Sequence, residues 1–395
     1  MKHIGNFFLV ASSLLFSLFQ VACNDSEYGA ATDHFFIEET GVKSNQRKVF
    51  IMEEEAINLL FTPRLSNVLN EDVKIAVEVD PQFLEAFNEK NGTSYEPLPA
   101  EGYELPVTEF DIQSGKVAPS VAGIVRVKPF SQEMKDSGKK YAVPIKITSK
   151  DGKTAAIGGA DRIVYALDLV RYVSVPVLGL DKQAFGHRKA AADFKDNPLT
   201  LNTWTIEFRI KMDSYSINNQ ALFNCGGSST EIYVRYGDAP IPFNQFQVKF
   251  GGSQINSFFG EKDKWHHIAL TYDGSDMKIY LNGVLQSTLN NPGKITLFDA
   301  TTSVCSSGLQ YFRAQASMNE LRIWSVARSE AQIKENFYAV SPQSEGLVSY
   351  WKMNEGEGVE FKNMIDGAPS MKVLDPNNNP VKTLRWIPNV KMLND

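Results

Sequence analysis

Cysteine is scarce in this chain. Three occur in 395 residues, at Cys23, Cys225 and Cys305. That is too few for the cross-linked framework of a small secreted domain. If Cys23 is used elsewhere, Cys225 and Cys305 are left, and an oxidising compartment leaves a disulfide open to them. Histidine is nearly as scarce. Beyond His3 there are only His34, His187, His266 and His267, so a three-His zinc site has few candidates. Clustered basic residues are missing too. Lys and Arg number 40 against 46 Asp and Glu, for a net charge of -6. Phosphate binding needs basic clusters, so nucleic acid is excluded as a partner. After the first residues, no segment approaches the roughly 20 apolar residues of a membrane span. No Gly-x-Ser-x-Gly elbow and no phosphate-cradling Gly loop is found. Tryptophan is missing from the first half: all five lie at or after Trp204.

The first residues read as an address. Lys2 precedes an apolar run from Phe7 to Phe19. A run this short, ending at small residues, predicts an export signal rather than a span. Gln20-Val21-Ala22-Cys23 resembles the lipobox of bacterial lipoproteins, with Gln20 where Leu is usual. The resemblance implies a signal peptide over 1–22, acylation of Cys23 and a lipid anchor in the cell outer membrane. Two or three acyl chains would hold firmly. The polar Asn24-Asp25-Ser26-Glu27 opens a tether over 23–34.

The length predicts at least two domains. The Trp asymmetry places a seam before residue 200, and Val173 to Gly179 supplies Pro176 and Gly179 for it. The domains are therefore set at 35–174 and 175–395. In the first, three runs alternate with period two: Val73 to Val79, Tyr141 to Ile147, and Ile163 to Leu169. Each set of alternate residues faces one core. One helix is predicted, with Asp80 as N-cap, Pro81 in the first turn, Phe83, Leu84 and Phe87 as its stripe, and Asn91-Gly92 as its end. Strands with one helical crossover fit an immunoglobulin-like β-sandwich.

In the second domain, Trp204, Ile206, Phe208 and Ile210 alternate with Thr205, Glu207, Arg209 and Lys211. Phe246 to Phe250 and Met277 to Leu281 alternate likewise. Asn282-Gly283 predicts a tight hairpin turn. Many such strands predict an antiparallel sandwich or barrel. Ser329 and Gln332 form a capping box ahead of a short helix, with Ile333 and Phe337 on its apolar face. The fold class is all-β.

Two resemblances sharpen this. Val77-Glu78-Val79-Asp80, Phe87-Asn88, Asn91-Gly92-Thr93-Ser94-Tyr95, Pro97-Leu98-Pro99, Ile112-Gln113-Ser114-Gly115 and Tyr141-Ala142-Val143-Pro144-Ile145 resemble, in this order, the family called domain of unknown function 1735. It covers about residues 35–170 and implies a place near glycan-related modules of glycan-foraging Gram-negative bacteria. Trp204-Thr205-Ile206-Glu207-Phe208, Trp265 to Gly274, Ile279 to Gly283, Asn319 to Trp324 with Ala327-Arg328, and Gly346 to Trp351 resemble the laminin-G-like, concanavalin-A-type jelly roll over about residues 180–390. Members bind glycans or proteins, often with Ca²⁺.

A glycosidase needs two carboxylates across the sugar bond. The hydrolase relatives carry a Glu-x-Asp-x-x-Glu-like strand, which this chain lacks. Glu53-Glu54-Glu55 reads as a solvated face, and Glu355 with Glu357 as loop polarity. His266 and His267 are adjacent, so on a strand they point oppositely and at least one is a core residue. The chain is read as non-catalytic. Ca²⁺ is the one cofactor the resemblance raises, with Asp193 and Asn319 as its candidate ligands. Asn319 stands where relatives carry Asp, which lowers the expected affinity. Asp273 and Asp276 read as turn residues. For a glycan, Tyr233, Arg235, Tyr236, Asp238, Phe243 and Asn244 form the candidate set, in a stretch whose Pro240 and Pro242 stiffen a loop beside two strands. Phe258-Phe259 is a second candidate. Glu320, Trp324 and Trp351 read as framework. The expected function is capture of a polysaccharide or glycoprotein glycan within a glycan-uptake system, with an outer-membrane uptake complex as a further partner. The rivals are a protein-binding adhesin or structural subunit docking onto an outer-membrane complex and, last, a glycoside hydrolase.

Overall fold

The computed structural model describes residues 33–41, 44–152, 154–184 and 186–392. The export signal and Cys23 lie outside the described residues. The chain is 48% strand and 9% helix, so the all-β expectation holds.

The first domain has β1 (Gln46–Met52), β2 (Ile57–Phe61), β3 (Val73–Val79), α1 (Pro81–Asn91), β4 (Glu109–Ile112), β5 (Gly123–Val127), β6 (Tyr141–Ser149) and β7 (Arg162–Val170). One sheet runs β1-β7-β6-β3-β4, and β2 pairs β5 in another. A small sheet joins His34–Ile37, Pro63–Leu65 and Ala155–Ala156. All three share a core that includes Phe61, Ile75, Val125, Ile145 and Ile163. Helix α1 starts as expected: Asp80 accepts the Phe83 N–H, and Gly92 closes the end at φ 63°. Leu84 and Phe87 then cover Ala142, Val164 and Ala166. Strands β6 and β7 are therefore buried on both faces, where alternation predicted one.

A linker strand, β8 (Tyr172–Pro176), leads to the second domain. Its strands are β9 (Leu178–Asp181), β10 (Gly186–Ala192), β11 (Trp204–Met212), β12 (Gln220–Cys225), β13 (Ile232–Asp238), β14 (Ile241–Phe250), β15 (Ser253–Phe259), β16 (His266–Tyr272), β17 (Asp276–Leu281), β18 (Val284–Asn290), β19 (Ser303–Val304), β20 (Gln315–Trp324), β21 (Leu347–Trp351), β22 (Met371–Leu374) and β23 (Trp386–Lys391). Helix α2 (Glu330–Glu335) follows β20 and carries the expected capping box. Sheet I runs β15-β14-β13-β12-β19-β10, with β22 also on β10. Sheet II runs β9-β20-β11-β16-β17-β18, with β21 on β20. Strand β10 joins the two by pairing with β9 at its start and with β19 and β22 at its end. One core fills the space between, with Trp204, Phe208, Phe223, Phe246, Phe250 and Trp351 in it. The Asn282-Gly283 turn forms as expected, with φ of 48° and 73°.

The outer face of sheet II is covered. Alternation turns Thr205, Glu207 and Arg209 away from the jelly-roll core, yet all three are wholly buried. Val326 and Arg328 ahead of α2, Tyr338 after it and Met392 just past the last strand lie against them. The Glu207 carboxylate takes Arg328 Nη1 at 2.6 Å and Trp324 Nε1 at 2.7 Å, and lies 3.4 Å from Arg322 Nη1 and His267 Nε2. Burial alone would raise its pKa. The Arg328 and Arg322 guanidiniums prevail and hold it well below the usual carboxylate range. Glu320 sits at a bulge with φ 56° and pairs Arg322. Glu320, Trp324 and Trp351 are framework, as read from the sequence.

The domains are closely joined. Glu335 of α2 takes Lys48 Nζ at 2.8 Å and the Tyr95 hydroxyl. Gly138, at φ 66°, lies so close to the second domain that a Cβ there would stand 2.2 Å from the Val340 carbonyl. Strand β23 returns to pair antiparallel with the linker strand β8, and the Met392 N–H reaches the Arg171 carbonyl at 2.8 Å.

Candidate glycan-binding groove

The outer face of sheet I is built by alternation. On β14, Phe246, Val248 and Phe250 enter the core, so Gln245, Gln247 and Lys249 point out. On β13, Ile232, Val234 and Tyr236 enter, and Tyr233 and Arg235 point out. Register puts Tyr233 beside Asn224 on one side and Lys249 on the other. Two connected polar groups result.

The first centres on Arg235. Its guanidinium reaches Gln247 Oε1 and Asn219 Oδ1, each at 2.9 Å, and pairs Asp238. The Tyr233 hydroxyl donates to the same Asn219 oxygen at 2.9 Å. The second centres on Asn224. Its Nδ2 donates to the Thr301 carbonyl at 2.9 Å, and its Oδ1 accepts from the hydroxyls of Ser303 at 2.9 Å and Ser306 at 2.5 Å. Beside it opens a groove of about 440 Å³, lined by Lys189, Asn224, Tyr233, Thr301, Ser303 and Asn378 among others. An aromatic ring, amides and hydroxyls, fixed by bonds to one another, present a preformed polar surface.

The sequence-based set is only partly brought together. The Tyr233–Phe246 stretch, expected as a loop beside two strands, is a hairpin of two strands with its turn at Ala239-Pro240. Tyr233, Arg235 and Asp238 share the outer face. Tyr236 does not: it is three residues from Tyr233, so it faces inward, 0% exposed, with Tyr215 at 4.8 Å and Phe246 at 5.4 Å. Phe243 is 46% exposed near the hairpin's tip. Asn244 is half-buried and donates to the Gly260 carbonyl. Of the second pair, Phe258 stacks on Phe246 in the core and Phe259 is exposed. Asn224, Ser303, Ser306 and Lys189 were missed. The one signal was Asn224, a lone amide within Ala221-Leu222-Phe223-Asn224-Cys225.

The proposed Ca²⁺ ligands do not assemble. Asp193 is exposed, follows the end of β10 and accepts the Lys195 N–H. Asn319 is wholly buried on sheet II, with Nδ2 3.2 Å from Met392 Sδ. Its register partner is Arg209, and a guanidinium there opposes a second cation. Among the described residues, no group of three or more His, Cys, Asp or Glu is placed to hold a metal ion. Asp273 is a turn residue, accepting the N–H groups of Ser275 and Asp276. His266 and His267 are both buried. Cys225 and Cys305 are free and buried. The pairing of Phe223 with Val304 carries them in opposite directions along their strands, so no disulfide forms. Burial pushes both thiols up, which leaves them poor nucleophiles.

Residues 186–334 match the family model of the concanavalin A-like lectin/glucanases superfamily. The second domain is a concanavalin-A-like jelly roll. A model of an N-terminal domain matches residues 31–154. A candidate carbohydrate-binding protein from Bacteroides ovatus has a similar structure, with TM-score 0.55 at 22% identity. The match covers 90% of this chain and 99% of that one, so the likeness in fold extends across both domains. A heptameric SAP-like pentraxin from Limulus polyphemus matches at 16% identity and TM-score 0.32, over 45% of this chain and 91% of that one. EndoBT-3987 from Bacteroides thetaiotamicron, in a structure with Man5GlcNAc product, matches at 17% identity and TM-score 0.27, over 32% of this chain and 28% of that one. No curated protein matches the chain. The groove lies on sheet I of the jelly roll, away from its contact with the first domain.

Proposed function

We propose that this chain is a non-catalytic glycan-binding protein whose jelly roll reads its ligand in the sheet I groove. The observation that carries this reading is the Asn224 hub beside the Tyr233 ring. Sugar C–H faces stack on aromatic rings, and sugar hydroxyls pair with amides and hydroxyls already held in place. Prior fixing lowers the ordering cost of binding. The likeness in fold to a Bacteroides ovatus protein described as a carbohydrate-binding candidate is consistent with it.

The finer parts of the proposal rest on the sequence. We read Cys23 as the acylated residue of an outer-membrane lipoprotein. We read the first domain as a relative of the domain of unknown function 1735 family, serving as a spacer. A place beside an outer-membrane glycan-uptake complex follows from that company.

Binding of the soluble chain, residues 24–395, to a broad glycan panel tests the reading. Saturable binding to one glycan class is expected, weakened at least about tenfold by Tyr233→Ala or Asn224→Ala, since each removes a stacking or hydrogen-bonding contact. Binding that ignores both substitutions would move the site elsewhere. No binding to any glycan would favour a protein-docking role instead.

A further inference from the structure

The groove has a charge character that a site for neutral sugars would not need. Lys189 is the only charged residue in its lining, which contains no carboxylate. Lys189 is half-buried on β10. Its ammonium donates to Asn378 Oδ1, and among the described residues it makes no ion pair. Of the carboxylates around it, Asp375 and Asp299 are turned away. Asp375 accepts the N–H groups of Asn377 and Asn379, each at 2.8 Å, and the Asn379 side chain at 3.1 Å. Asp299 accepts the Thr301 N–H at 2.8 Å and its hydroxyl at 2.6 Å. Both are closed on their own turns. Lys249, also half-buried, stands beside Tyr233 on the same face. Lys189 and Lys249 therefore stand near Tyr233 and Asn224, where the acids that act on the Tyr233 ring are Glu231 and Asp238, the latter already paired with Arg235.

We propose that the groove selects an acidic glycan, one carrying a carboxylate or a sulfate ester, with Lys189 as its principal ionic partner and Lys249 as a second. This rests on the glycan-binding reading above. A half-buried cation that is hydrogen-bonded to an amide oxygen and only partly offset by Asp375 is poorly compensated. An incoming anion completes it. Burial lowers the Lys189 pKa and Asp375 only partly offsets that, so the site is one where a ligand's negative charge is felt rather than screened.

The test uses matched pairs on the soluble chain. One pair is an oligogalacturonate and the same oligosaccharide with its carboxyls reduced. The other is a sulfated galactan oligosaccharide and its desulfated form. The charged member of at least one pair is expected to bind roughly tenfold tighter, as a charge-assisted hydrogen bond implies, and the gap should narrow with added salt. The pair showing the gap identifies carboxylate or sulfate as the recognised group. In Lys189→Gln the ratio should fall towards one, while Lys189→Arg should retain much of it. Circular dichroism would confirm that the variants fold. Equal binding within both pairs, or a ratio that survives Lys189→Gln, overturns the proposal. If members of a pair bind alike and Tyr233→Ala weakens both, the groove stands and only its charge preference falls. If no glycan binds the unaltered chain, both readings fall together.

Discussion

Glu207 is a carboxylate with no access to water, and it stays ionised because two guanidiniums and an indole N–H surround it. Breaking such a set is more costly than never having built it. Glu207→Gln should lose about 3–5 kcal/mol of stability, measured by urea unfolding, because Arg328 and Arg322 stay buried with less charge to face. The same geometry sets an acid limit. The folded pKa of Glu207 lies below its unfolded value, so its contribution is complete above about pH 4.3 and is lost as the pH falls further. His187 acts in a higher window. It is 1% exposed, with no partner for either ring nitrogen among the described residues. Burial lowers its pKa from 6.5 to about 4. The unfolded chain therefore takes up a proton that the folded one refuses, and stability falls as the pH drops from 6.5 to about 4. His187→Leu should make this upper arm of a melting-temperature profile shallower, since His266 and His267, also lowered by burial, share it, and should leave the lower arm in place. An unchanged upper arm would assign it elsewhere.

Single elements were the most legible level of the sequence. Helix α1 was readable because its cap, its proline, its stripe and its terminal glycine are contiguous. Asp80→Ala should cost about 1 kcal/mol in chemical denaturation, since the Phe83 N–H loses its acceptor. The Asn282-Gly283 turn and the Ser329–Gln332 box were readable for the same reason. Alternation located the strands, but it could not say what covers their second faces. Thr205, Glu207 and Arg209 follow the pattern of a wet face and lie against Val326, Arg328, Tyr338 and Met392. Bulges add to the difficulty. At Glu320 the strand gains a residue, and the inward set changes from Ala316 and Met318 to Leu321 and Ile323. The groove was least legible because its residues come from β10, β12, β13, β19 and turns far apart in sequence. Tyr233 was found because it sits in a dense polar and aromatic stretch. Lys189 and Asn378 sit in none.

At the scale of the whole molecule, the two cores are separate but their surfaces are held together. Glu335 bridges to Lys48 and Tyr95, and Gly138 lies against Val340. A side chain at Gly138 would meet that carbonyl and would also strain a positive φ. Gly138→Ala should therefore part the domains without touching either core. Limited proteolysis should then cut within residues 171–179, which resist in the unaltered chain. Equal resistance in both would show that the remaining contacts suffice.

The pairing of β8 with β23 also has a consequence in time. More than half of the chain separates the two strands, and closing so large a loop is slow. Each domain can collapse on contacts within itself, and domains generally fold as units in order of synthesis. The seam must wait for Trp386 and the residues after it. Until they arrive, Val173 and Val175 stand on an unpaired edge, open to any other strand nearby. The last strand of the jelly roll is thus also the step that ends the chain's period of risk.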